Sequence, residues 1–235
     1  MAATAERSVW REYLEAFIIA ALFLRFTNVF VVQTFYIPSS SMEDTLLIGD
    51  HLFVNRFIYG PTPTAFEQRL FPSRPLERGD IVIFRSPQDP TVDVVKRCVG
   101  LPGDVVDFVD KELYLNGRRV DDDSYTKHVD PRVFPDQPFS DPQGRRRDNF
   151  GRFTVPAGQY FCFGDNRDMS HDSRFWGGLP AHLVKGRALM VYWSYGGGTS
   201  DGEWRGWGSK LGQLGRTALG FFTRTRWERT FHLIR

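Results

Sequence analysis

The sequence LYLNGRRV, residues 113–120, decides the fold class of this chain. Asn116 and Gly117 stand between two short β-type runs, and both tolerate the positive φ angles of a two-residue hairpin turn. Similar runs, bounded by Gly, Pro and Asp, lie on either side of this hairpin and predict further strands. They cover residues 51–57, 80–85, 92–99, 105–109, 112–115 and 159–163. The pattern predicts a mainly β domain.

Composition excludes several classes of function. The 235 residues suffice for one sizeable domain with accessory segments. A formal net charge of +2 gives no indication of a nucleic-acid-binding face. Two cysteines, Cys98 and Cys162, are too few for a disulfide scaffold or a cysteine-built zinc site, and the histidines lack metal-ligand spacing. We therefore expect no metal and no cofactor. The two cysteines are predicted to be buried free thiols, and a disulfide between them in an oxidising compartment is the alternative.

Residues 13–33 predict a transmembrane anchor, because they are nearly long enough and apolar enough to cross a bilayer. Glu15, Arg25 and Asn28 interrupt the apolar run, and charges are costly in mid-membrane. The alternative is a buried amphipathic helix of a soluble domain. Arg7 and Arg11 precede the segment, so the positive-inside rule predicts that residues 1–12 are cytoplasmic and the remainder is outside.

The rest of the chain divides into a domain and a tail. Residues 34–195 form the predicted β-rich domain, with an irregular excursion at about 121–151 that is rich in Asp, Pro, Arg and Gly. A Gly-rich break begins at residue 196 and leads to a basic, aromatic tail that ends at residue 235. This tail is predicted to be a helix, packed either on the domain or on a membrane surface.

Two stretches contain candidate groups for nucleophilic catalysis. IPSSSMEDTLLIGD, residues 37–50, offers three serines, which become nucleophilic only beside a base and oxyanion donors. DVVKRCVG, residues 93–100, places Lys96 on a predicted strand. To act as a base, Lys96 needs its pKa lowered from about 10.4 by about 2 to 3 pH units, which burial can supply. A polar linker and an edge-strand charge remain the alternatives for these two stretches.

A third stretch, GDNRDMSHDSRFWG, spans residues 164–177 and predicts either an internally paired network of charges or a solvated turn. His171 adjoins Asp172 there, but neighbours in sequence rarely form the His–Asp part of a serine protease triad. The functional hypothesis for this stretch is a scaffold that holds a nearby lysine.

The three stretches, together with GDIVIFRSP at 79–87, resemble in this order the signature boxes of bacterial type I signal peptidases. The resemblance runs from the apolar segment through Tyr195. It implies a signal-peptidase-like β-sheet catalytic domain following a single transmembrane helix. The implied activity is that of a Ser–Lys serine endopeptidase, which cleaves signal peptides from exported preproteins after Ala-x-Ala sites. The implied location is the bacterial cytoplasmic membrane, with the catalytic domain on the extracytoplasmic side.

The resemblance also implies roles for individual residues. Ser41 matches the nucleophile and Lys96 the general base, while the Ser39 hydroxyl and the Ser41 amide match the oxyanion hole. Ser170 matches a serine that hydrogen-bonds the lysine amine. Asp172 and Arg174 match a charged pair that braces the site with Arg97. The remaining matches are scaffold and substrate-pocket positions: Asp165 and Arg167 for the scaffold, and Phe35, Ile37 and Val95 for the pockets.

Ser40 and Asp44 depart from the family pattern, which commonly has glycine and proline at these positions. Met42 directly follows the nucleophile and so identifies Ser41 rather than Ser40. Two other functions stay open: a LexA-like self-cleaving protease, and a membrane-anchored β-domain chaperone or assembly scaffold. The apolar segment and the lack of a DNA-binding half count against the first, and the second would need no reactive serine.

Overall fold

A computed structural model of the chain describes residues 9–26, 32–56, 59, 74–136, 141–196 and 220–234. Within these ranges the protein is mainly β, which confirms the β-sheet part of the predicted fold class. The strands are β1 Val32–Tyr36, β2 Asp50–Asn55, β3 Ile81–Arg85, β4 Asp93–Gly100, β5 Val105–Val109, β6 Glu112–Leu115, β7 Arg118–Arg119, β8 Phe150–Thr154, β9 Gln159–Phe163, β10 Leu179–Pro180, β11 Val184–Ser194 and β12 His232–Leu233. The helices are α1 Val9–Phe26, α2 Pro142–Asp148 and the single turn α3 Ser173–Trp176.

The larger sheet is antiparallel and holds the central strands in the order β1-β2-β11-β3-β4-β9-β10, with β12 also paired to β11. Strand β3 is covered on both faces. Ile81 and Ile83 pack into one apolar cluster, and Val82 and Phe84 pack into another. Since successive strand residues point to opposite faces, the four-residue apolar run buries both sides of the sheet.

The hairpin at Asn116-Gly117 is confirmed. Both residues have positive φ, 52° and 78° respectively, and Leu115 pairs with Arg118 across the turn. This hairpin belongs to a second, four-stranded sheet in the order β7-β6-β5-β8. A separate apolar cluster, which includes Val106, Phe108 and Phe161, joins the small sheet to β9 of the larger one.

The longest strand, β11, is absent from the sequence-based prediction. Its register shifts between Ala188 and Met190 and again between Val191 and Trp193. Each shift breaks the strict inward-outward alternation that a strand prediction requires. β1, β8, β10 and β12 were likewise not predicted.

The N-terminal helix differs from the predicted anchor at both ends. It begins at Val9 and ends at Phe26, and the last predicted anchor residues, 32 and 33, belong to β1. Residues 27–31 lie outside the described part of the chain. No helix of the described residues is both long enough and apolar enough to span a membrane. In α1 the acidic and basic residues near its start, Arg11, Glu12 and Glu15, shorten the apolar run.

The excursion and the tail contain regular structure. The excursion includes α2, which Asp141 caps by accepting a hydrogen bond from the Gly144 amide, and β8 begins at its end. The Gly-rich break after residue 196 and the tail up to residue 219 lie outside the described residues, as does residue 235. The described part of the tail is not a continuous helix. After a helical turn at 220–224, it pairs with β11 through β12, where Val191 faces His232.

Candidate active site

Ser41 follows β1 on a segment that we call the nucleophile loop and define as residues 41–50, the last of which is the first residue of β2. Ser41 and Met42 belong to a single 3-10 turn, Ser40–Met42. Met42 and Leu46 fix it by packing into the core of the larger sheet. The Ser41 side chain is buried, and its hydroxyl lies 3.4 Å from that of Ser39. Met42 and Leu46 thus hold the loop on both sides of its polar residues 43–45.

Lys96 reaches Ser41 from the middle of β4. Its Nζ is hydrogen-bonded to Ser41 Oγ at 2.6 Å, and only 3% of the residue is exposed. Burial disfavours the ammonium form and lowers the pKa of Lys96 to about 8. The charge of Asp172 opposes this effect, and that of Arg174 reinforces it. A lysine in this setting is partly neutral near physiological pH.

Asp172 and Arg174 form a fully buried ion pair close to Lys96. Arg174 donates from Nε to Asp172 Oδ1 at 2.9 Å and from Nη2 to Oδ2 at 2.8 Å. The Gly164 amide also donates to Asp172, at 3.1 Å. Burial favours the protonated form of Asp172, but the charge and hydrogen bonds of Arg174, together with Ser170 and the Gly164 amide, outweigh that effect and lower the pKa of Asp172 below its ordinary value. The carboxylate is therefore charged, with its charge offset locally.

Arg97 makes a second, separate pair. Its guanidinium donates two hydrogen bonds of 2.8 Å to Asp165 and stacks over the Tyr125 ring, with Cζ 4.1 Å from the ring centroid. Asp165 also accepts from the Thr45 hydroxyl at 2.6 Å. The family resemblance implied that Arg97 braces the site together with Asp172 and Arg174. In the structure Arg97 pairs with Asp165 instead, so it links β4 to the nucleophile loop.

Arg167 is paired with a residue that sequence analysis missed. Its Nη2 donates to Asp122 Oδ2 at 2.5 Å, and its carbonyl accepts from Arg174 Nη2 at 2.7 Å. Arg167 and Asp122 are both buried. Asp122 lies in the excursion, where three consecutive aspartates gave no signal for which one is buried. The excursion therefore contributes to the scaffold behind the site.

Ser170 and Gly164 lie next to the dyad. The Ser170 hydroxyl makes no hydrogen bond of ordinary geometry within the described ranges, but it is near enough to Asp172 to favour its charged form. No bond to Lys96 is seen. A side chain at Gly164 would collide with Ser170 and with the Ser41 carbonyl. In the sequence, Gly164 marks only the start of the charged stretch; its role follows from the close approach of the backbone, which a glycine permits.

The model of the family described as signal peptidase, peptidase S26, matches residues 10–193. This chain belongs to that family. It is therefore a peptidase, and the family resemblance of its boxes is confirmed. Its sequence is 34% identical to a signal peptidase I of Pseudomonas aeruginosa over 206 residues, which cover 78% of this chain and 72% of that protein. It is 32% identical to a signal peptidase I of Rickettsia typhi over 196 residues, 71% of this chain and 74% of the relative.

One solved structure, a signal peptidase I from Enterococcus faecalis V583, shares 32% identity and covers 48% of this chain and 97% of its own, with a TM-score of 0.37. The family assignment rests on the sequence matches.

The three residues that match substrate pockets in this signal peptidase family lie together. Ile37 is buried in the core of the larger sheet, and Phe35 and Val95 are partly buried against the same cluster. Cys98 and Cys162 face each other across β4 and β9 as buried free thiols. Among the described residues, no group of three or more His, Cys, Asp or Glu side chains is placed to hold a metal ion.

Proposed function

We propose that this signal peptidase family member cleaves signal peptides from exported preproteins with Ser41 as nucleophile and Lys96 as general base. The observation that carries the proposal is the buried 2.6 Å contact between Lys96 Nζ and Ser41 Oγ. A general base must lie within hydrogen-bond reach of the proton that it removes, and this pair satisfies that condition. The lowered pKa of Lys96, about 8, supplies the second requirement.

The reaction follows from this geometry. Neutral Lys96 takes the Ser41 proton as Ser41 Oγ attacks the scissile carbonyl, and the carbonyl oxygen becomes an oxyanion. The Ser41 amide and the Ser39 hydroxyl donate to that oxygen. The Lys96 ammonium then protonates the leaving amine, the scissile C–N bond breaks to leave an acyl group on Ser41 Oγ, and Lys96 returns to its neutral form. Water, deprotonated by Lys96, attacks this acyl-enzyme, and the Lys96 ammonium returns the proton to Ser41 as the ester bond breaks.

The Asp172–Arg174 pair supports the base by cancelling charge. A lone buried carboxylate near Lys96 would stabilise the ammonium and raise the lysine pKa. Arg174 offsets that carboxylate through two hydrogen bonds, so Lys96 stays partly neutral. Asp165 is offset in the same way by Arg97. Ser170, whose buried hydroxyl has spare hydrogen-bonding capacity, orients the Lys96 amine when the substrate is bound.

Specificity for small residues comes from shallow apolar pockets. Phe35, Ile37 and Val95 share one apolar cluster with Met42, the residue after Ser41, and Val95 directly precedes Lys96. An extended substrate bound by backbone hydrogen bonds along a strand would present alternate side chains to these pockets. Alanine fits, whereas bulky residues are excluded by steric clash. This arrangement selects Ala-x-Ala sites.

The membrane is the second partner in this proposal. α1 exposes nearly all of its large apolar side chains, among them Trp10, Phe17, Ile19, Leu22 and Phe23. Such a surface is typical of contact with lipid rather than water. We place the N-terminus in the cytoplasm and the catalytic domain on the extracytoplasmic side of a bacterial cytoplasmic membrane. A shared membrane raises the effective concentration of a tethered preprotein.

Cleavage of a preprotein with an Ala-x-Ala site in lipid vesicles tests the proposal. Ser41→Ala and Lys96→Ala should each lower cleavage by more than about 10³-fold, because the dyad acts as a unit. His171→Ala is the control, since His171 is exposed and bonds to Gln88 rather than to the dyad. Normal cleavage by Lys96→Ala would refute the base assignment. A folded wild type that never cleaves would favour the scaffold function.

A further inference from the structure

The C-terminal tail reaches back to the nucleophile loop. Arg229, on the 3-10 turn Trp227–Arg229, donates through Nη2 to the Thr45 carbonyl at 2.9 Å and to Asp50 Oδ2 at 2.6 Å. Thr45 and Asp50 lie near the middle and at the end of the loop. One guanidinium group therefore ties two points of the loop together, from a segment 179 residues further along the chain than Asp50.

Arg229 supplies the positive charge that pairs with the buried carboxylate of Asp50. Its carboxylate is fully buried and accepts hydrogen bonds from the Leu47 amide at 2.9 Å and the Ser194 hydroxyl at 2.6 Å. These donors are neutral, and the ion pair of Asp50 within the described residues is the one with Arg229. Removing the cation from a buried ion pair leaves an uncompensated buried charge, which is strongly destabilising. The tail supplies that cation.

Other parts of the tail hold the same region. Arg226 Nη2 donates to the Ile48 carbonyl at 2.6 Å and to the Tyr195 carbonyl at 3.3 Å. Ile234 is buried in the same apolar cluster as Met42 and Leu46, the residues that fix the nucleophile loop. The tail thus donates hydrogen bonds to backbone carbonyl groups of the loop. Its Ile234 side chain also shares an apolar cluster with two side chains of the loop.

The contact extends to the dyad. Thr45 accepts from Arg229 through its carbonyl and donates through its hydroxyl to Asp165 at 2.6 Å. Asp165 in turn pairs with Arg97, the neighbour of Lys96 on β4. We propose that Arg229 is a positioning residue for the dyad, holding the loop of Ser41 in register with the strand of Lys96. This inference rests on the proposed function of Ser41 and Lys96.

A small displacement of the loop is expected to affect the chemical step more than substrate binding. Misplacing reacting groups by about 1 Å lowers rates by about 10²-fold. Within the described residues, Arg229 makes no hydrogen bond with the residues matched to the substrate pockets, which are Phe35, Ile37 and Val95. Arg229→Met should therefore lower kcat by about 10- to 100-fold and change KM by less than about twofold.

The experiment measures kcat and KM on a preprotein, together with thermal melting, for the full chain in vesicles. We call the contacts of Arg229 with Thr45 and Asp50 the loop clamp. Arg229→Met removes the clamp but leaves the buried Asp50 carboxylate without its cation. The double variant Asp50→Asn/Arg229→Met removes the clamp and leaves no lone buried charge. Arg229→Lys keeps the charge but presents one ammonium where the guanidinium spans two acceptors. Arg224→Met is the matched control, because this exposed side chain makes no hydrogen bond to residues 41–50 within the described part of the tail.

The inference predicts a low kcat with a near-normal KM for both Met variants, a several-fold loss for Arg229→Lys, and wild-type kinetics for Arg224→Met. A folded double variant with wild-type kcat would overturn it, as would an equal loss in Arg224→Met. If both Met variants fail to fold, wild-type kcat in Arg229→Lys overturns it. If the wild type cleaves and Ser41→Ala does not, such results refute the clamp alone. If the wild type does not cleave, the proposed function fails and the clamp falls with it.

Discussion

Lys96 determines how the rate should depend on pH. Burial lowers its pKa to about 8, and only the neutral amine can accept the Ser41 proton. We therefore expect kcat/KM to rise tenfold per pH unit below about pH 8 and to level off above it. The measurement is the pH profile of cleavage of a short Ala-x-Ala peptide. An acid limb near pH 6.5, the ordinary range of histidine, would contradict a lysine base.

Lys96 should also lower the free energy of unfolding of the protein. The unfolded chain binds a proton at Lys96 up to its ordinary pKa of 10.5, whereas the folded chain releases it at about 8. Between these pH values the unfolded state binds more protons, so the free energy of unfolding rises with pH, by about 3 kcal/mol in total. Below about pH 8 both states are protonated and the full cost remains. Lys96→Met should remove that cost and stabilise the protein at pH 7.

Urea unfolding of Lys96→Met and Ser41→Ala at several pH values from 7 to 10.5 checks this prediction. Ser41→Ala keeps the lysine and should retain the wild-type rise in stability with pH. Other groups that titrate in this range cancel in the comparison between the variants. Equal pH dependence in Lys96→Met and the wild type would show that Lys96 is not the source.

At the scale of single residues, the sequence was enough to propose Ser41 and Lys96 as a dyad and to match Asp172 with Arg174, a pair that the structure contains. It did not indicate the partners of Arg97 and Arg167. Ser41 and Lys96 stand in distinctive boxes, and the order of these boxes is enough to bring them forward. The pairing of Arg97 with Asp165 depends on the register in which Arg97 faces Phe163 across β4 and β9. That register is a property of the folded sheet, and the sequence of either box does not contain it.

At the scale of elements, strands with compact apolar runs were predictable and bulged strands were not. β3, β5 and β6 are short, continuous and bounded by turn residues, so their limits follow from pattern. β11 is longer, but its two register shifts mix inward and outward residues. It nevertheless lies between β2 and β3 at the centre of the larger sheet. Its pairing with both neighbours, which local sequence does not contain, therefore sets its length and position.

The excursion should behave as part of the scaffold rather than as a free loop. Asp122→Ala would leave the Arg167 guanidinium buried without its carboxylate, and two of its nitrogens, Nε and Nη1, already lack hydrogen bonds within the described residues. Breaking a buried pair from one side costs about 3 to 5 kcal/mol. Asp121→Ala is the control, because Asp121 is next to Asp122 in sequence and its own carboxylate is exposed. Urea unfolding that gave equal stability for the two variants would contradict this role.

At the scale of the whole molecule, the site depends on segments from the entire chain. The proposed nucleophile, Ser41, comes from the loop before β2, and the proposed base, Lys96, comes from β4. The charged scaffold comes from the segment after β9, and the proposed positioning residue, Arg229, comes from the tail. α1 lies outside this set of contacts, and its apolar side chains are exposed. The activity of the domain and its attachment to a membrane should therefore be separable.

Charges on α1 test that separation. Phe17→Asp/Leu22→Asp places two carboxylates on exposed apolar positions, 71% and 65% accessible, and each charge costs about 2.5 to 3.5 kcal/mol in a membrane. The variant should move from the vesicle fraction to the supernatant and cleave a vesicle-bound preprotein about 10²-fold more slowly, because effective concentration is lost. Its kcat on a short soluble peptide should stay unchanged.

The control variant is Val129→Asp/Val133→Asp, which places two carboxylates on exposed positions of the excursion and should remain with the vesicles. If the α1 variant also stayed there, the anchor would have to lie elsewhere. If it lost activity on the soluble peptide, α1 would be part of the catalytic fold.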